Sequence, residues 1–250
     1  MLRALIWDVD GTVAETERDG HRVAFNQALQ EHGVPWQWDA ATYGRLLHVT
    51  GGFERLLHDM QARADAPRAA IERERLARAL HQRKNQLYAQ IVASGSIQLR
   101  PGVRRLMGEC SDAGIALAIA TTTSRSNVQA LFAAHFGSAW QQRFAAVVCA
   151  EDAPIKKPDP MAYRLALEMM GIEAGAAMAV EDSPNGLVAA QATSIATLIT
   201  RSVYFASEPF VGHAGLCDDL DAAVCWPGGS SAKTDLAALR RMHHDWHATA

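Results

Sequence analysis

The sequence predicts an α/β fold, a doubly wound parallel sheet of the Rossmann-like kind with an α-helical domain inserted after its first strand. Short apolar runs recur at residues 5–7, 115–120, 145–149, 177–180 and 195–199. Stretches with helical spacing, 126–134, 160–170 and 184–192, separate the last four. The chain thus alternates strand and helix from Pro101 onward, the pattern of a parallel sheet covered on both faces. Between the first run and the second, about a hundred residues pass with no comparable strand, far more than one strand–helix–strand connection requires.

In chain order, the first run ends in Asp8-Val9-Asp10-Gly11-Thr12. Helical patterns follow at 16–31, 40–47, 53–63 and 67–92, the last carrying IERERLARALHQRKNQLYAQIV. Residues 15–95 are therefore expected to form a helical cap, inserted into a core made of residues 1–14 and 96–226. Ala93-Ser94-Gly95-Ser96 makes a hinge, and Arg100-Pro101-Gly102 opens the next core helix. Near the end, the Pro/Gly/Ser stretch at 226–231 breaks the pattern and an amphipathic helix resumes at 235–247, so residues 227–250 are expected to be an extension ending in a docked helix.

The 250 residues are 49% apolar and 20% charged, with a formal net charge of -3. This is an ordinary globular composition without the basic excess of a nucleic-acid-binding chain. Cys110, Cys149, Cys217 and Cys225 are scattered with no Cys-x-x-Cys pair, which suits buried thiols in a reducing compartment. No apolar stretch has the form of a signal peptide or membrane span, so a cytoplasmic protein with no membrane partner is expected, as a monomer.

In an open parallel sheet, functional groups collect in the crevice beyond the C-terminal strand ends. The first strand delivers Asp8 and Asp10, the second Thr121, Thr122 and Thr123, and the fourth Glu181 and Asp182; IKKPDP, after the third, brings Lys156 and Lys157. Residues two apart on a strand share a face, so Asp8 and Asp10 concentrate negative charge that calls for a cation. The inventory suits phosphoryl transfer with a hard divalent ion: Mg²⁺ takes carboxylate oxygens together with phosphate and water, and Asp8 and Asp182 can share it. A lysine neutralises phosphate charge, hydroxyls with neighbouring N–H groups hold the remaining oxygens, and Gly11 permits close backbone approach. Singly, an Asp-x-Asp, a threonine run or a lysine pair is commonplace on a protein surface. Their joint order carries the reading.

These residues resemble the four motifs of the haloacid dehalogenase superfamily of phosphotransferases: DVDGT at Asp8, the apolar run ending at Thr121, the lysine before proline at Lys157, and Glu181-Asp182 in VEDSPNG. The helical insert is similar to that of the α-helical-cap subclass. The resemblance implies that Asp8 is the nucleophile, forming an aspartyl-phosphate, and that Asp10 is the general acid and base. It implies that Thr121, Thr122 and Lys157 bind the transferring phosphoryl group. Asp8, Asp182, the Asp10 carbonyl and the neighbouring Glu181 would serve Mg²⁺. An acid at Asp10 argues against true dehalogenase chemistry, in which no leaving oxygen needs a proton.

ATTTSRSNVQALF, TGGFER and HQRKNQLY are similar to the CbbY-type branch, which dephosphorylates xylulose 1,5-bisphosphate, an inhibitor of rubisco; HQRKNQLY also resembles the matching cap helix of β-phosphoglucomutase. The resemblance implies a sugar-phosphate substrate facing Glu17, His21, Arg55 and Lys84, the two cations engaging its second phosphate, although Phe53 stands where that branch has a lysine. Two alternatives accompany it. A sugar phosphomutase uses the same core residues, and a phospho-accepting signalling domain gathers similar groups but needs neither the cap nor Asp10.

Overall fold

The strands at the heart of the sheet are covered on both faces, which is why their sequences run as continuous apolar stretches instead of alternating. The structure, a computed structural model, describes residues 1–249. β1 (Ala4–Trp7) is followed, after the helical insert, by β2 (Ala116–Ala120), β3 (Ala146–Val148), β4 (Ala177–Glu181), β5 (Ala196–Thr200) and β6 (Gly215–Cys217). The sheet order is β3-β2-β1-β4-β5-β6 and these neighbours are parallel, with Ala4 of β1 opposite both Ala116 and Ala177. Chain order reverses beside β1, and the C-terminal ends of β1, β2 and β4 meet there.

Two strands continue the sheet that the sequence pattern does not show. β7 (Val224–Trp226) and β8 (Gly229–Ser231) add antiparallel to β6, with Trp226 opposite Gly229 across a Pro227-Gly228 turn. The break expected at 226–231 is thus a hairpin. Each strand is three residues long, too short for a period of two to register.

The helical insert opens with a π-helical turn, Glu17–His21, followed by α1 (Arg22–Glu31), α2 (Ala40–Leu46), α3 (Gly52–Gln61) and α4 (Ala70–Ala93). Asp39 caps α2 by accepting from Thr42 N at 2.7 Å. Phe25, Trp38 and Tyr43 cluster with ring centroids 5.0 to 6.3 Å apart, and their apolar cluster runs on into the one that covers a face of the sheet. The chain's two crossings between insert and sheet lie side by side, joined by an antiparallel bridge between Ala14 and Leu99. α4 packs on α1 and α3 and also reaches the sheet-flanking helix Arg125–Phe136.

α5 (Val103–Asp112), α6 (Arg125–Phe136), α7 (Met161–Met170) and α8 (Pro184–Gln191) flank the sheet. On the α7–α8 side the sheet presents Ala118, Ala120, Ala177 and Ala179, small enough for Tyr163 and Ala189 to pack closely; the opposite side presents Leu117, Ile119, Met178 and Val180. α9 (Leu236–Thr249) lies against α5, burying Ala238, Leu239 and Met242; its Asp245 accepts from Trp226 Nε1 at 2.7 Å. Residue 250, the last of the expected extension, lies outside the described residues. All four cysteines are free, and no helix among the described residues is long and apolar enough to cross a membrane.

Candidate active site

Asp8 stands just beyond the end of β1, where the chain leaves the sheet. Its Oδ1 accepts from Lys157 Nζ at 2.7 Å, and the same ammonium donates to Glu181 Oε1 at 2.6 Å and to the Ala120 carbonyl at 2.8 Å. Lys157 is therefore stretched between the ends of β1, β2 and β4. Burial alone would pull its pKa down, but the charges of Asp8 and Glu181 outweigh this and hold it fully protonated. Lys156, its neighbour, turns away and donates to the Ala150 and Ala153 carbonyls. Tyr163 hydroxyl donates to Glu181 Oε1 at 2.7 Å, while Glu181 Oε2 accepts from Ser183 Oγ and Asp182 N. A Cβ on Gly186 would fall 2.0 Å from the Glu181 carboxylate, so glycine at the start of α8 is what makes room for it.

Asp182 faces Asp8 across Thr12, whose hydroxyl lies 3.3 Å from Asp8 Oδ2 and 3.4 Å from Asp182 Oδ1. Ser202, on the segment after β5, is buried beside Asp182 and pulls its pKa down. Gly11 adopts φ +87°, and a Cβ there would lie 2.0 Å from Asp182 Oδ2; the turn needs glycine both for its left-handed backbone and for contact with the carboxylate. Burial, with repulsion from Glu181, raises the Asp8 pKa against the pull of Lys157, and burial, then repulsion from Asp8 and Glu181, raises that of Asp182. Carboxylate oxygens of Asp8, Glu181 and Asp182 lie within 4.8 Å of one another, and among them Lys157 supplies one positive charge against three negative ones. That donor set, hard oxygens with two uncompensated charges, fits a divalent cation such as Mg²⁺. Asp8 and Asp182 line the cavity whereas Glu181 is fully buried behind it, so Asp8 and Asp182 are its better-placed ligands.

Asp10 has different surroundings. Its Oδ1 accepts from Thr16 Oγ1 at 2.6 Å and from His21 Nε2 at 3.0 Å, and the His21 ring stacks on Tyr88 with centroids 4.2 Å apart. Burial acts to raise its pKa, but His21, Thr16 and the charge of Lys84 win and hold it below the usual carboxylate range. The π-helical turn, with its wider register, carries His21 to this position.

Arg55 and Lys84 of the insert are buried. Arg55 donates to Tyr43 Oη at 2.8 Å and to the Leu46 carbonyl at 3.2 Å, with Glu17 3.5 Å from its guanidinium. Glu17 in turn accepts from Tyr43 Oη. Among the described residues Lys84 has no carboxylate at salt-bridge distance; its ammonium donates to Asn85 Oδ1 at 3.3 Å and lies 5.0 Å above Phe25 and 5.6 Å above Tyr88. Burial lowers its pKa to about 8 against the pull of Asp10 and Glu17. Next to it, burial and the charges of Lys84, His21, Arg55 and Lys156 depress His81 to about 4. The underside of the insert is thus electropositive.

Asp8, Asp10, Thr121, Thr122, Lys157 and Asp182 line one cavity, and Glu17 and Arg55 line its other wall. His21, Lys84 and Glu181 stand behind this lining. The cavity also takes in residues that sequence reasoning missed: His48 and Thr50 between α2 and α3, Asn185 at the start of α8, and Phe205 after β5. Asn185 lies inside the quoted VEDSPNG stretch and could have been read there; Phe205 carries no local signal.

The comparisons with known proteins bear on this geometry. The model of the haloacid dehalogenase-like hydrolases matches residues 2–193. The chain belongs to that family. It is 44% identical over 248 residues, covering 97% of both chains, to protein CbbY (plasmid) of Cupriavidus necator, and 40% identical to CbbY of Rhodobacter capsulatus over 89% of this chain and 96% of that one. Crystal structures of CbbY from Rhodobacter sphaeroides, one in complex with phosphate and one in complex with xylulose-(1,5)bisphosphate, superpose with TM-score 0.81 at 38% identity over 88% of this chain and 95% of theirs. This hydrolase is accordingly a phosphatase of the haloacid dehalogenase type.

Proposed function

We propose that this hydrolase is a Mg²⁺-dependent sugar-bisphosphate phosphatase acting on xylulose 1,5-bisphosphate through an aspartyl-phosphate on Asp8, with residues 15–95 closing as a cap over the core. The observation that carries the reading is the division of labour between two carboxylates. Asp8 is pinned between Lys157 and Thr12, while Asp10, two residues on, is held by Thr16 and His21. Paired carboxylates in such different environments suit separate roles.

In the first step an Asp8 oxygen bonds to phosphorus as the phosphorus–sugar-oxygen bond breaks, and the departing oxygen takes a proton from Asp10, which is a carboxylate in the free enzyme and takes up that proton as the anionic substrate binds beside it. His21, 3.0 Å from Asp10 Oδ1, orients that carboxyl group. In the second step Asp10, now a carboxylate, takes a proton from water as the water oxygen attacks phosphorus, releasing phosphate and restoring Asp8. Lys157, Thr121 and Thr122 hold the phosphoryl oxygens. Asp8, Asp182 and the Asp10 carbonyl would hold Mg²⁺, which supplies charge neutralisation where phosphate meets carboxylate.

The buried, unneutralised Lys84 and the adjacent Arg55 suit a second phosphate, and a 38% identical relative has been crystallised with the bisphosphate. The test is a panel of sugar phosphates assayed for both free phosphate and isomerised sugar. The expected result is one phosphate released per xylulose 1,5-bisphosphate with Mg²⁺, and little conversion of β-glucose 1-phosphate to glucose 6-phosphate. Fast isomerisation with negligible phosphate release would replace the reading by that of a mutase.

A further inference from the structure

Arg100 takes no part in the chemistry above, yet it is buried within reach of it. Its guanidinium donates to the carbonyls of Gly11, Thr200, Arg201 and Asp218, at 3.1 Å for Thr200 and 2.6 Å for Asp218, and Glu15 lies 3.5 Å from its Nε. Its backbone N–H donates to the Val13 carbonyl at 2.9 Å. One side chain thus ties together the turn after Asp10, the ends of β5 and β6, and both crossings between the insert and the sheet.

We propose that Arg100 is a positioning residue that fixes the Asp8–Asp182 pair through two backbone segments. The first is the turn at Gly11. Holding the Gly11 carbonyl orients the peptide leading into Thr12, whose hydroxyl sits between Asp8 and Asp182. The second is the segment after β5. Holding the Thr200 and Arg201 carbonyls sets the course of the chain into Ser202, which is buried beside Asp182 and favours its charged form. Glu15 reinforces this side by accepting from Val203 N at 3.2 Å. The planar fork of an arginine can reach carbonyls on three separate segments at once, whereas a lysine ammonium on a flexible stem cannot span them. The role rests on Asp8 and Asp182 being the working carboxylates.

The test compares Arg100→Lys and Arg100→Met with Arg105→Met, a control that removes another multidentate arginine, bonded to Glu109, Asp221, Leu220 and Thr234 away from the cavity. Thermal unfolding is followed during titration with Mg²⁺ alone, and kinetics are measured on a small phosphate ester. The Arg100 variants are expected to lose about tenfold or more in kcat with KM within about twofold, and to need about fivefold more Mg²⁺ for half-maximal thermal stabilisation; Arg105→Met should lose stability yet keep both. Arg100 variants that melt earlier but keep the native kcat and Mg²⁺ midpoint would overturn the proposal. Should neither fold, Glu15→Gln carries the test: an effect of about threefold in the same direction supports the role and none refutes it. Asp182→Ala, run in parallel, reports on the premise, because a native Mg²⁺ midpoint in that variant would overturn the assignment of the pair itself.

Discussion

At the scale of single residues, the site is governed by how each buried charge is matched. Lys157 has two carboxylates within hydrogen-bond distance, whereas Lys84 has none. A buried ammonium with a pKa of about 8 is charged below that pH and neutral above it. If Lys84 meets the second phosphate, kcat/KM for the bisphosphate should fall as pH rises through about 8, while kcat/KM for a small monoester keeps its course. Parallel profiles for the two substrates would remove Lys84 from recognition. Asp182 presents the opposite case, a buried carboxylate with no side-chain cation at salt-bridge distance among the described residues. Its raised pKa means that the folded chain without metal binds an extra proton relative to the unfolded one, so stability declines as pH rises above the carboxylate range. Asp182→Asn removes that burden. The variant is expected to melt at a higher temperature than the native chain in chelator and to lose the Mg²⁺-induced stabilisation, which for the native chain should reach about 2.7 kcal/mol at a hundredfold excess over Kd. A lower melting temperature in chelator would show that Asp182 is held by favourable contacts instead.

At the scale of elements, the insert is fastened to the core by few polar contacts. Asn185 of α8 donates to the His48 carbonyl at 3.1 Å and to Thr50 Oγ1 at 2.9 Å, joining α8 to the α2–α3 connection. Asn127 of α6 donates to Asn85 of α4 at 3.2 Å. Asn185→Ala should raise KM for the bisphosphate about three- to tenfold and leave the melting temperature within about 2 °C, because it loosens a polar contact at the cavity wall and leaves the apolar cluster shared by insert and sheet untouched. An unchanged KM would make the contact incidental. The same elements show what the sequence could reveal. α4 was legible because its 24 residues sustain a helical pattern, and β1, β2, β4 and β5 because burial on both faces leaves unbroken apolar runs. Asp8, Thr121 and Asp182 were legible because chemistry in a parallel sheet lies within a residue or two of a strand end. The π-helical turn that brings His21 onto Asp10 has no sequence signature of comparable strength. Ser202, Phe205 and Arg100 reach the site only because the fold carries the segment after β5 and the second crossing back to Gly11; no local spacing announces them.

At the scale of the whole molecule, the fold divides labour between a sheet that fixes the reacting carboxylates and a helical insert whose buried cations face them. The central claim is that Asp8 becomes phosphorylated during turnover and that water then removes the phosphate. It is tested most directly by mixing the enzyme with Mg²⁺ and xylulose 1,5-bisphosphate, quenching in acid within milliseconds to seconds, and measuring phosphate covalently held on the peptide containing Asp8. The account predicts that this species forms before free phosphate appears, decays as phosphate accumulates, and is absent from a folded Asp8→Asn variant that releases no phosphate. Steady phosphate release with no phosphorylated peptide at any time, or release undiminished in Asp8→Asn, would contradict it.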